Sequence, residues 1–257
     1  MKAKEISSIL GKKGADFAVF YNSDSAGHNA NMLYFSGYRG LGALIVPKNK
    51  QPFLAVPDIE IERAKKSMVK KAYSMETRKN HRFLGHRKSK GFSRENRFFE
   101  SIYKIIKKNK IKSRNIAIDK NNFTLNSYKH FKKQFKRIKI KDISLDCQKL
   151  REIKTEKELQ LLKKSCEYAD KILQKTIKNF KSFKTESEAA AFLEYETKKN
   201  GLELSFNPIV ASGSNGSMPH HEPANIKIKK GFCVIDFGVK YKGYCSDITR
   251  TIYVGKI

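Results

Sequence analysis

In the first half of the chain, apolar runs of strand length alternate with segments whose apolar residues recur every three or four positions. The pattern predicts a helix over residues 4–12, a strand over 16–21 and a polar loop over 22–31. Two further strands are expected at 43–47 and 52–57, joined by the turn-like Lys48-Asn49-Lys50. Residues 59–66 read as helical, 76–95 as a polar basic loop, 96–108 as a helix, 115–118 as a short strand and 126–136 as a helix. Such alternation predicts an α/β domain over residues 1–150.

The second half, residues 151–257, opens on a stronger signal. Thr155 and Glu158 are spaced as a capping box, in which hydroxyl and carboxylate satisfy free amides at a helix start. Leu159, Leu162, Cys166, Ala169, Leu173 and Ile177 then form one apolar face. A second box, Thr185 and Glu188, starts a helix through Ala189, Phe192 and Leu193 that stops at Asn200-Gly201. Strand-like segments follow at 206–211, 226–228, 232–237 and 244–254.

The last two of these flank Lys240–Gly243 and predict a β-hairpin. With the turn centred on Tyr241 and Lys242, Asp236 falls directly opposite Asp247. Opposed residues have Cβ atoms about 4.5–5.5 Å apart. Carboxylates that close repel one another and call for a proton or a cation between them. The alternative is that they pair with Lys240, Lys242 or Arg250. Asp236-Phe-Gly is not a kinase element, because no Gly-rich loop, V-A-I-K or H-R-D precedes it.

Upstream lies Pro219-His220-His221, within a segment that contains Gly213, Asn215 and Gly216. Adjacent strand residues face opposite sides, so the two histidines do not readily serve one site, and an ordinary surface or packing role is the alternative.

Charge adds one consideration. The chain carries 54 Lys and Arg against 25 Asp and Glu, a net charge of +29. The basic residues are spread along the sequence without an RNP motif, zinc-finger spacing or helix-turn-helix. The expectation is solvated basic surface with nonspecific nucleic-acid association at low salt. Cys147, Cys166, Cys233 and Cys245 form no C-x-x-C pair, so neither a zinc ribbon nor a disulfide framework is expected. They read as small buried hydrophobes, with Cys233 and Cys245 flanking the aspartates and open to oxidants. No apolar run is long enough to span a bilayer and no signal-peptide core opens the chain, which predicts a cytoplasmic protein.

Taken together, Asp236-Phe-Gly, Asp247-Ile-Thr-Arg-Thr and Pro219-His220 resemble the pita-bread metallopeptidases, which include aminopeptidase P, prolidase and methionine aminopeptidase. The likeness is to the Xaa-Pro branch. It extends over the linker from Arg151 to Glu158 and the helices after it, and less specifically over Asn31–Gly37. It implies an α/β N-terminal accessory domain, followed by the first part of an α+β pita-bread domain with a curved antiparallel sheet. It also implies metal-assisted hydrolysis of the bond before proline, on peptides with proline in second position. Asp236 resembles a ligand of one metal ion, Asp247 the carboxylate that bridges two, and His220 a non-ligand histidine at the scissile bond. The family adds one His and two Glu from later strands, whereas no His, Glu or Asp follows Asp247 here. His28, His81, His86 and His130 all lie in the first half. Two divalent ions (Mn, Co or Zn) are therefore expected only in a completed site, with weak or absent binding by this chain alone. The implied partner is a C-terminal half, as a separate chain, or a second copy of this chain. The competing expectation is a silent basic module that binds nucleic acid or an acidic protein.

Overall fold

The computed structural model describes residues 3–23, 29–75 and 94–255. The chain divides into two compact units, Met1–Ile153 and Lys154–Ile257.

In the first unit the central strand is apolar from Phe17 to Tyr21, and both sheet faces are covered as a consequence. Strands β1 (Phe17–Asn22), β2 (Gly42–Pro47), β3 (Phe53–Val56), β4 (Ala72–Ser74), β5 (Asn115–Ile118) and β6 (Lys139–Asp142) form one sheet in the order β4-β3-β2-β1-β5-β6. Pairing is antiparallel for β1–β2 and β2–β3, and parallel for β1–β5, β5–β6 and β3–β4. Every residue of β1 is buried. Ala18 and Phe20 join Leu10 of α1 (Ala3–Lys13), Met32 and Phe35 of α2 (Ala30–Ser36), Ala64 of α3 (Ile61–Lys65) and Cys147 of α6 (Ser144–Glu152). Phe17, Val19 and Tyr21 face the other way, onto Phe99 and Ile102 of α4 (Arg94–Lys108) and Phe131 of α5 (Leu125–Gln134). A strand buried on both faces reads as one unbroken apolar run, which is how residues 17–21 appear in the sequence.

Several elements differ from the sequence expectation. Residues 30–31, expected in a loop, open helix α2, because the Asn29 side chain accepts the Met32 amide at 3.0 Å and Gly37 closes the helix with φ 68°. The short edge strands β4 and β6 carry too few apolar residues to show alternation. The loop expected over 76–95 lies, for residues 76–93, outside the described residues.

The second unit is simpler. Helices α7 (Glu156–Lys178) and α8 (Glu186–Lys199) cover one face of a three-stranded antiparallel sheet of β8 (Ile209–Ser212), β9 (Gly231–Phe237) and β12 (Ile248–Val254), in the order β12-β9-β8. Strands β7 (Glu203–Leu204), β10 (Val239–Tyr241) and β11 (Tyr244–Cys245) form a second small sheet, in the order β11-β10-β7. The capping box of α7 is present: the Thr155 amide donates to the Glu158 carboxylate at 2.8 Å. Gly201, with φ 69°, follows the end of α8. Residues 226–228, expected as a strand, form only an isolated pairing of Lys227 with Thr185. Their backbone meets the entry to α8 instead, where the Glu186 amide donates to Ile226 O and the Ile228 amide to Lys184 O. Among the described residues no helix is long and apolar enough to cross a membrane.

Candidate functional site

The hairpin that carries both aspartates is set by its turn. Lys242 and Gly243 have φ 49° and 90°. Positive φ at both central residues marks the two-residue turn whose twist suits a hairpin, and glycine at the second position accommodates it. Tyr241 therefore pairs with Tyr244 and Lys240 with Cys245. The expected turn at Tyr241-Lys242 lies one residue too early, and this shifts the register by two. Asp236 sits opposite Thr249, not opposite Asp247. The Thr249 hydroxyl donates to Asp236 Oδ1 at 2.8 Å.

A two-residue shift leaves each side chain on its face, whereas a one-residue shift would reverse them all. Cys233, Ile235 and Phe237 of β9 are buried against α7 and α8. Phe232, Val234 and Asp236 alternate onto the opposite, open face, beside Thr249, Thr251 and Tyr253 of β12. Asp247 comes one step before Ile248, which belongs to the covered side. Asp247 itself is exposed and lies in the break between β11 and β12. In this register Asp247 is two positions before Thr249, the residue opposite Asp236.

The strand break between them has a local cause. Ser246 and Asp247 separate β11 from β12, and Gly238 separates β9 from β10. The Ser246 amide donates to Val239 O at 2.9 Å, and the Val239 amide to Ser246 Oγ at 3.0 Å. A Cβ on Gly238 would overlap the Ser246 carbonyl. Among the described residues neither aspartate takes part in an ion pair. Arg250, one of the alternative partners, turns its guanidinium to the Thr249 carbonyl at 2.8 Å.

The histidine pair divides into an anchored and a free member. His221 Nε2 lies 2.7 Å from Glu186 Oε2, and only 11% of its side chain is exposed. His220 is exposed. Glu186 is fully buried, and its Oε1 accepts the Ser212 amide and hydroxyl, each at 2.8 Å, and Asn215 Nδ2 at 3.0 Å. Burial alone would raise this carboxyl. The Ser212 amide, His221, Asn215 and the Ser212 hydroxyl outweigh it and hold the group below the ordinary glutamate value. The 3₁₀ turn Gly213–Ser217 crosses the sheet close to Val234, since a Cβ on Gly216 would lie 3.7 Å from Val234 Cγ2. The segment that carries His220 therefore begins over the same open face as Asp236. Sequence reasoning missed Glu186, whose position in a capping-box motif looked purely structural.

The cysteines depart from expectation as well. Cys147 and Cys233 are buried, whereas Cys166 and Cys245 are exposed. Burial pushes the Cys233 thiol up to about 11, with the Glu186 carboxylate adding to the effect, so this cysteine is not the oxidant-sensitive one. His28, His81 and His86 lie outside the described residues. Among the described residues no group of three or more His, Cys, Asp or Glu side chains is placed to hold a metal ion. Two carboxylates fit part of a hard-cation site and do not complete one.

Comparison with known proteins covers both units. Residues 3–153 match the creatinase/prolidase N-terminal domain, and residues 160–257 match metallopeptidase family M24. An uncharacterized peptidase of Staphylococcus epidermidis is 30% identical over 99% of this chain and 66% of its own length. A Xaa-Pro dipeptidase of Pyrococcus furiosus is 34% identical over 88% of this chain and 58% of its own. The crystal structure of the prolidase from Pyrococcus horikoshii superposes with a TM-score of 0.78 at 28% identity, covering 99% of this chain and 65% of that one. The chain thus spans about two thirds or less of the length of these relatives. Its two units in this order, one matching each domain, place it in the creatinase/prolidase family of pita-bread metallopeptidases.

Proposed function

We propose that this chain forms the N-terminal part of a metal-dependent peptidase that hydrolyses the bond before proline, as an aminopeptidase or a dipeptidase. One observation supports the reading: Asp236 lies on the open face of a sheet whose other face is sealed by helices, the exposed Asp247 stands two positions before the residue opposite it, and the segment leading to His220 starts over that same face. The dipeptidase and prolidase relatives named above support the substrate class.

In this proposal Asp236 and Asp247 each give carboxylate oxygens to divalent cations. Mn²⁺ or Co²⁺ fits an oxygen-rich donor set, and Zn²⁺ fits once histidine joins it. Such ions, when bound, polarise a carbonyl and activate water. The Thr249 hydroxyl bond holds Asp236 in one orientation. His220, exposed and free of the Glu186 anchor, is the residue assigned to substrate near the scissile bond. The remaining ligands are assigned to sequence outside these 257 residues, in the same polypeptide or a separate one. The site is cytoplasmic in this proposal.

The test is cleavage of an Xaa-Pro dipeptide or tripeptide in Mn²⁺ or Co²⁺ after co-expression with the C-terminal third of a prolidase relative. Cleavage that Asp247→Asn abolishes supports the reading. Equal activity in wild type and Asp247→Asn, or none in either, counts against it.

A further inference from the structure

The proposed function uses His220 and leaves Glu186 unexplained, yet Glu186 is a fully buried carboxylate with four hydrogen bonds to the segment that leads to His220. It is the first residue of α8, so its backbone is fixed by a helix start capped by Thr185, whose hydroxyl accepts the Glu188 amide at 3.2 Å. From that fixed point the carboxylate reaches three places on one loop: Ser212 at the end of β8, Asn215 inside the 3₁₀ turn, and His221 beyond it. Backbone bonds tighten the same path, from the Met218 amide to Asn215 O at 3.0 Å and from the His221 amide to Met218 O at 3.2 Å. Hydrogen bonds to a buried carboxylate are charge-assisted and strong. Loss of one partner also leaves the charge buried and unsatisfied.

From this geometry we infer that Glu186 is a positioning residue. It grips Ser212, Asn215 and His221, fixes the path of residues 213–221, and thereby presents His220 to the open face of the sheet. His220 and His221 then have separate tasks: the second is the anchor, and anchoring it frees the first. The loop cannot set this path by apolar packing, because residues 214 and 216–220 are exposed. Polar contacts hold it instead: the buried carboxylate, and Lys229, whose amide donates to Ser212 Oγ and whose ammonium donates to Ser214 Oγ, each at 3.1 Å. The inference rests on the proposed function only for the use made of His220. The clamp is a property of the chain itself.

The experiment uses the full chain and the near-isosteric Glu186→Gln. Nitrogen-15 imidazole spectra report the His221 tautomer, and amide hydrogen exchange reports the loop. In wild type His221 carries its proton on Nε2, facing the carboxylate. In Glu186→Gln that signature changes, and amides of residues 213–221 exchange about tenfold faster or more, with the helix amides of α7 unchanged. A Gln variant with the wild-type tautomer and loop protection would overturn the clamp. Should Glu186→Gln not fold, the His221 variants decide. His221→Gln can still donate to Glu186 and keeps the loop protected, whereas His221→Ala loses protection. Equal protection in both would again overturn the clamp. Titrated Mn²⁺ separates this inference from the proposed function. Broadening of the His220 ring signal before that of His130 in wild type, lost in Glu186→Gln, supports the presentation of His220. Absence of that preference in wild type would remove the presentation of His220, while the tautomer and exchange data still decide the clamp and the cleavage assay decides the metal reading.

Discussion

The two sheets of this protein treat their faces differently. The six-stranded sheet of the first unit is apolar on both sides, and helices cover both. The β12-β9-β8 sheet is covered on one side only. Its open side shows Phe232 at 69% exposure and Tyr253 at 45%, stacked edge to face, and carries Asp236. A face sealed on both sides has no room for chemistry, because charges there would lose hydration without gaining a ligand. A half-covered sheet offers a rigid, apolar-backed platform with one side free for polar groups. The candidate site lies where the protein leaves backbone order without side-chain cover.

The sharpest test of this contrast is truncation on each face of β9. Phe237→Ala, on the covered face, is expected to cost about 3–5 kcal/mol in denaturant unfolding. Phe232→Ser, on the open face of the same strand, should stay within about 0.5 kcal/mol. Comparable losses at the two positions would mean that the faces are not energetically distinct.

Next in size is the buried carboxylate that spans covered helix and open loop. Glu186→Gln should lose about 1.5–3 kcal/mol at neutral pH, the range for hydrogen bonds to a charged group. The folded-state pKa is depressed, so the stabilisation is present above the ordinary glutamate range and fades as pH falls through the folded value. The stability gap between wild type and variant should therefore shrink in acid. A gap independent of pH would show that the charge contributes nothing.

Gly243→Ala tests the turn that sets the register. A side chain at φ 90° is strained, and a loss of about 1–2 kcal/mol is expected in the same unfolding measurement. Smallest is Thr249→Val on the open face, which removes one exposed hydroxyl bond to Asp236 and should change stability by less than about 0.5 kcal/mol. If Asp236 binds cations as proposed, the same variant weakens Mn²⁺ affinity measurably in calorimetry, since the threonine no longer orients the ligand.

Legibility in the sequence followed the range of the physical signal. The α7 start was readable because capping is local: Thr155 and Glu158 satisfy each other within one turn. The β1 core was readable because a strand buried on both faces needs no alternation. The hairpin was readable as a hairpin, and its register was not. The signal that would have fixed it was Gly243, the residue best suited to positive φ, which argues for a turn at Lys242-Gly243. Strand 226–228 was misread because Ile226 and Ile228 look like a sheet segment, whereas their backbone partners belong to the entry of α8.

The sequence by itself determined the two-unit order, the helix starts at Thr155 and Thr185, and a hairpin with Asp236 in its first strand. Those features follow from periodicity and capping, which act over a few residues. Tertiary structure alone decided that Thr249 and not Asp247 faces Asp236, and that Glu186, 35 positions before His221, anchors it. Register depends on the backbone angles of a turn, and the clamp depends on a helix start meeting a distant loop. Neither leaves a periodic trace in the order of residues.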